Sequence, residues 1–176
     1  TQWSYGIGET WSLMIPNIKG GASAYIGNDN PALENADPRF RSMIAQNNAY
    51  WGDQPGTSGP VYVGAIVCFL FVLGLFIVKG KIKWVLLAAT ILSILLSWGK
   101  NFMGFTDFFL DYFPMYNKFR AVSMTPVIAE VCMPILAFLA LAEVMRNPEC
   151  LKKNKIYFYI SFGLTACLCL LFYIIP

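Results

Sequence analysis

The sequence predicts an all-α integral membrane protein, in which four transmembrane helices follow an irregular, partly helical extracytoplasmic segment. Two observations carry that expectation. Hydrophobic residues make up 57% of the 176 and charged residues 13%, with a mean hydropathy of +0.54, against roughly 45–50% apolar and 25% charged in soluble chains. The apolar residues are also confined: 1–59 is rich in Gly, Asn, Pro, Ser and Asp, whereas 60–176 breaks into four apolar runs. Such a composition excludes an intrinsically disordered chain. The net charge of +3 is small and the basic residues sit in short clusters beside apolar runs, so no nucleic-acid footprint is present. The chain opens on Thr1 without a signal-peptide pattern and reads as an internal section of a longer polypeptide, whose remainder is its first expected partner.

In the amino-terminal segment, 1–59, turn signals at Gly20 with Gly21, at 28–31 and at Asp37 with Pro38 separate short pieces. Its one apolar run, 11–15, is cut by Pro16. Residues 38–49 are predicted as a helix, with Pro38 at the first position and Phe40, Met43 and Ile44 on one side. No strand is predicted.

The four spans are expected at about 60–78, 82–98, 122–144 and 156–175, each close to the roughly 20 residues a bilayer-crossing helix needs. Four such helices without amphipathic neighbours would leave water no polar surface. Lys79, Lys81 and Lys83 flank the first connection without an acid, and Arg146, Lys152, Lys153 and Lys155 outnumber Glu149 in the last. The excess of positive charge on cytoplasmic connections therefore places 79–81 and 145–155 inside, and 1–59 and 99–121 outside. Tyr62, Trp84, Trp98, Tyr112, Tyr116, Tyr157 and Tyr159 fall near span ends, where amphipathic rings settle. Cys68, Cys132, Cys167 and Cys169 lie inside spans and Cys150 in a cytoplasmic connection, so they read as small core residues. Cys167 and Cys169 lack the His or acidic companions of a zinc site.

Four features carry candidate chemistry. Glu130 falls about eight residues, or roughly 12 Å, into the third span, between Pro126 and Pro134. An intramembrane acid there is either functional or a structural hydrogen-bonding group to a neighbouring helix. The outward segment 101–116 is too aromatic for a solvated loop and is expected as an interfacial or re-entrant helix. Asp107 and Asp111, four apart, would share one face, either pointing at water or serving a polar substrate or a metal. Lys118 and Arg120 stand at the outer mouth of the third span, positioned for a lipid phosphate or for ordinary headgroups. Trp51 and Asp53 lie in a turn-rich stretch, 50–64, where stacking and hydrogen bonding would suit a carbohydrate; the plainer reading is a connection into the first span. No cofactor is evident, and nothing beyond the two aspartates speaks for a divalent metal.

WSYGIGET at 3–10, LMIP at 13–16, Gly20 with Gly21, YWG at 50–52, GPVYVG at 59–64 and NKFR at 117–120 resemble, in order and spacing, the YfhO-like family of bacterial membrane proteins. The resemblance covers most of 1–145. It implies a section of a multi-pass protein of the bacterial cytoplasmic membrane that looks like a GT-C glycosyltransferase, taking sugar from a polyprenyl-phosphate donor at the outer face. Lys118 and Arg120 would then lie near the donor phosphate, with 50–64 lining the same side and the catalytic acid outside this section. The competing expectation is a transporter or flippase with Glu130 as coupling acid, or a non-catalytic membrane scaffold.

Overall fold

The computed structural model describes residues 3–114, 116–118 and 121–174, and among them the chain is mostly helical. The amino-terminal segment holds a 3₁₀ segment, Gly8–Leu13, then strand β1 (Gly20–Tyr25), a 3₁₀ turn at Pro31–Leu33, helix α1 (Arg41–Ala45) and strand β2 (Asn48–Tyr50). β1 and β2 pair antiparallel, Gly20 opposite Tyr50 and Tyr25 opposite Asn48, with an irregularity between. The helix expected over 38–49 is thus confined to five residues. A helix this short is marginal. Beyond it the Asn48 side chain accepts from the Tyr50 amide (3.1 Å), drawing the backbone out of the helix and into the ladder.

The remaining helices are α2 (Ala65–Ile77), α3 (Ile82–Ser97), α4 (Met103–Tyr112), α5 (Val127–Arg146), α6 (Glu149–Lys153) and α7 (Lys155–Ile174). α5 and α7 are long and apolar enough to cross a membrane. α3 reaches that length only together with Gly99–Tyr112, from which it is bent by 106°. α2 is a shorter apolar helix, because the expected first turn, 60–64, is not helical. There the amides of Val63 and Gly64 both donate to the Leu13 carbonyl (3.0 and 2.9 Å), and Gly64 has φ +108. The chain is tied to the amino-terminal segment before it can wind.

α5 is the central helix, packed on α2 and α3, while α7 packs on α2. Where α2 crosses α5, a Cβ on Gly74 would come within 2.9 Å of Leu136 Cγ and 3.0 Å of its carbonyl oxygen. Ala129, Leu136, Ala137 and Ala140 of α5 are all buried, so small residues bring the backbones close, as in membrane helix pairs. Phe76 stacks on Tyr157 at 4.8 Å, and Phe69 meets Phe158 and Phe162 edge-on. Trp11 rests on Phe172 near the last turn of α7. α2 and α7 are therefore antiparallel. Thr125, just before α5, donates to the Ser93 carbonyl near the end of α3 (2.9 Å), so α3 and α5 are antiparallel too. These contacts put residues 3–64 and α4 at one end of the helices. Lys79, Lys81, Lys83, Arg146, Lys152 and Lys155 gather at the other.

The sharp turn out of α3 is made at Gly99, whose φ of +42 favours glycine. A Cβ there would also stand 2.4 Å from Ser4 Oγ and 2.8 Å from Val122 Cγ2. The buried hydroxyl of Thr106 donates back to the Gly99 carbonyl (2.8 Å), holding α4 across the corner.

Candidate functional site

The amino-terminal segment is sewn to this α3–α4 corner. The Tyr5 amide donates to the Ser97 carbonyl (2.8 Å), Asn101 Nδ2 to the Tyr5 carbonyl (3.0 Å), the Lys100 amide to Ser4 Oγ (3.0 Å), and Trp98 Nε1 to Thr10 Oγ1 (2.8 Å). These bonds close a small polar interior around Glu9, which is only 5% exposed.

Both Glu9 oxygens are engaged. The Gly6 amide donates to Oε2, and the Tyr50 hydroxyl, delivered by β2, donates to Oε1. Tyr5 donates to the Glu9 carbonyl (3.0 Å) and lies 2.7 Å from Ser12 Oγ, which itself donates to the Glu9 and Val61 carbonyls. The Gln54 amide donates to the Tyr50 oxygen (3.0 Å). A buried carboxylate is thus met by donors, as burial of charge requires.

Burial pushes the Tyr5 phenol up to about 12, and the negative charges of Glu9 and Glu130 push the same way, against the opposing bond to Ser12. Tyr50 is raised as well, first by burial and then by its bond to Glu9. Both phenols stay protonated and serve as donors at neutral pH.

Beside this cluster lies a cavity of about 70 Å³, lined by Tyr5, Glu9, Ser12, Lys19, Tyr50 and Gln54 among others. Lys19 is exposed. Asp53 approaches from the other side: a Cβ on Gly6 would lie 2.7 Å from Asp53 Oδ2 and 3.0 Å from Glu9 Oε2, so both carboxylates face one backbone position. Asp53 is exposed, with Asn101 Nδ2 3.4 Å from its Oδ2 and Lys100 Nζ 3.3 Å from its carbonyl. The cluster therefore offers one carboxylate held fast and one free to meet a hydroxyl, with ammonium groups nearby. Among the described residues no three His, Cys, Asp or Glu side chains converge as a metal set.

The other sequence candidates spread out around this cluster. Trp51 is 69% exposed, its amide bound to the Lys19 carbonyl (2.8 Å). Glu130 is half-buried in the first turn of α5, about 4.5 Å of rise past Val127, where regular α-helix starts; the apolar stretch that contains it begins at Val122, eight residues before Glu130. There the helix N-terminus favours a negative charge. Asp107 and Asp111 are exposed on α4, opposite the face carrying the ring series Phe102, Phe105, Phe109 and Phe113. Lys118 is exposed, and Arg120 lies outside the described residues. Among the described residues no hydrogen bond or ion pair links Asp107, Asp111 or Lys118 to the Glu9 cluster.

The residues missed from sequence are Tyr5, Glu9, Ser12, Lys19, Tyr50, Lys100 and Asn101. The one available signal was an acid, Glu9, set among aromatics and glycines in the 3–10 motif. No family model, curated protein or solved structure matches the chain.

Proposed function

We propose that the chain is a four-span section of a polytopic membrane protein resembling the YfhO-like family, and that it works as part of a GT-C-like glycosyltransferase on a polyprenyl-phosphate-linked sugar at the outer face. The observation that carries the reading is the buried Glu9 carboxylate at the wall of a cavity, with the exposed Asp53 beside it across Gly6, at the end of the helices away from the basic connections. Glycosyl transfer from a lipid phosphate calls for carboxylate near the acceptor hydroxyl and for cations where the phosphate departs. Asp53 is the group with a free oxygen, and Glu9 is a positioning residue that fixes the loop beside it. Lys118 and Arg120 are the cations proposed for the phosphate, as the resemblance implies. The segregation of Lys79, Lys81, Lys83, Arg146, Lys152 and Lys155 to one end supports putting that end in the cytoplasm.

The test is sugar transfer by the full-length protein in liposomes containing a radiolabelled polyprenyl-phosphate sugar. D53N is expected to lower turnover at least about ten-fold, and Arg120→Ala to raise the donor KM. Unchanged turnover and donor KM in both variants would sink the reading.

A further inference from the structure

One face of α7 carries Lys155, Phe158, Tyr159, Phe162, Thr165, Ala166 and Cys169, a three-to-four-residue spacing that keeps them in line. Along that face lie two open grooves, both bordered by Phe158. The first, about 220 Å³, is lined by Leu151, Lys152, Lys155, Phe158 and Tyr159. The second, about 420 Å³, runs along the outer seam of α7 and α2, bordered by the touching rings of Phe69, Phe158 and Phe162 and continued by Thr165, Ala166 and Cys169. The furrow is thus basic at its mouth and apolar along its length. Lys155 makes no ion pair among the described residues, whereas Lys152 is 2.8 Å from Glu149.

We infer that these grooves bind one anionic phospholipid of the leaflet on the basic side, its phosphate on Lys155 and Lys152 and one acyl chain laid along the α2–α7 seam. Charge complementarity selects the headgroup, because neighbouring lysines at the membrane surface each favour an anionic lipid. Length selects the chain. From Lys155 to Thr165 is about 15 Å of helical rise, the depth of one leaflet of a roughly 30 Å hydrocarbon core. A zwitterionic lipid would bring its own cation to the lysines, and a soluble phosphate would leave the apolar furrow unfilled. The inference does not rest on the transferase reading.

Native mass spectrometry of the full chain released from detergent tests it, with phosphatidylglycerol, phosphatidylcholine and glycerol phosphate as probes. Phosphatidylglycerol is expected to be retained roughly ten-fold more than phosphatidylcholine. K152A/K155A should erase that preference, and these exposed side chains can be removed without disturbing the core. Ala166→Trp fills the furrow without changing charge and should lower retention of phosphatidylglycerol, while Lys118→Ala, at the opposite end, should leave it alone. Equal retention of the two lipids, a preference that survives K152A/K155A, retention undiminished by Ala166→Trp, or glycerol phosphate competing as well as the intact lipid would each overturn the inference.

Discussion

The hydroxyl of Tyr50 donates to the buried carboxylate of Glu9, forty-one residues earlier in the chain. This bond joins the only strand pair among the described residues to the 3₁₀ segment Gly8–Leu13, and through Tyr5 to the end of α3. Glu9 also accepts from the Gly6 amide. Replacing it by Ala strands a buried hydroxyl and a buried amide, each worth about 1–3 kcal/mol when left unmade. Glu9→Ala is expected to lower the thermal unfolding midpoint in detergent clearly, and Glu9→Gln, which keeps an acceptor oxygen, by less. Equal midpoints for wild type and both variants would show that the bond contributes nothing to stability.

Tyr5 and Tyr50 give the same cluster a dependence on alkaline pH. Tyr5 is pushed up from 10 to about 12 and Tyr50 also upward, both first by burial. The folded state therefore holds these protons after the unfolded chain has released them. Their contribution is complete below pH 10 and is lost as pH rises through the folded values; the shift of Tyr5 corresponds to about 3 kcal/mol. Urea unfolding in detergent should show stability falling between pH 10 and 12, with a shallower fall in Tyr5→Phe. A slope identical to wild type in that variant would contradict the assignment.

The α2–α5 crossing predicts opposite outcomes for two helical glycines. A side chain at Gly74 meets Leu136 within 2.9 Å, whereas Gly163 of α7 has no atom within 4 Å of where its Cβ would stand. Gly74→Leu forces the helices apart and is expected to cost about 1–3 kcal/mol. Gly163→Ala should be neutral or stabilising by up to about 1 kcal/mol, since Ala loses less backbone freedom in a helix. Thermal midpoints of the two variants read the contrast directly, and a tolerated Gly74→Leu would show that the crossing is loosely packed.

The helices were legible in the sequence because their signal is local. The expected 156–175 and the observed Lys155–Ile174 agree within a residue, since nothing competes with the apolar run for its backbone. The start of α2 was not legible, because Val63 and Gly64 are held by Leu13 from another part of the chain. The third span starts at Val122 as expected, but its first residues wind as the 3₁₀ turn Val122–Met124, packed beneath the Gly99 corner, before regular helix at Val127. The segment expected as a helix at 101–116 is helical over Met103–Tyr112, set off from α3 by a 106° bend, and its two acids do share an exposed face. The Glu9 cluster stayed hidden for a different reason. Its members come from residues 5–12, 50–54 and 100–101, and no spacing within one segment records that they meet.

The distribution of charge predicts how the chain lies across the membrane. Cys150 sits between α5 and α7 at the end bearing Arg146, Lys152 and Lys155, and 3–64 contains no cysteine. With the basic end in the cytoplasm, a cysteine placed at exposed Ser58 faces the opposite compartment. In bacterial cells expressing the full-length protein without its other cysteines, Ser58→Cys should react with a membrane-impermeant maleimide in intact cells. A variant keeping only Cys150 should react after permeabilisation alone. Both sites reacting from outside would break the antiparallel crossing of α2 and α7, and the reverse pattern would invert the orientation and move Asp53 and the Glu9 cavity to the cytoplasmic side, where a sugar donor presented at the outer face could not reach them.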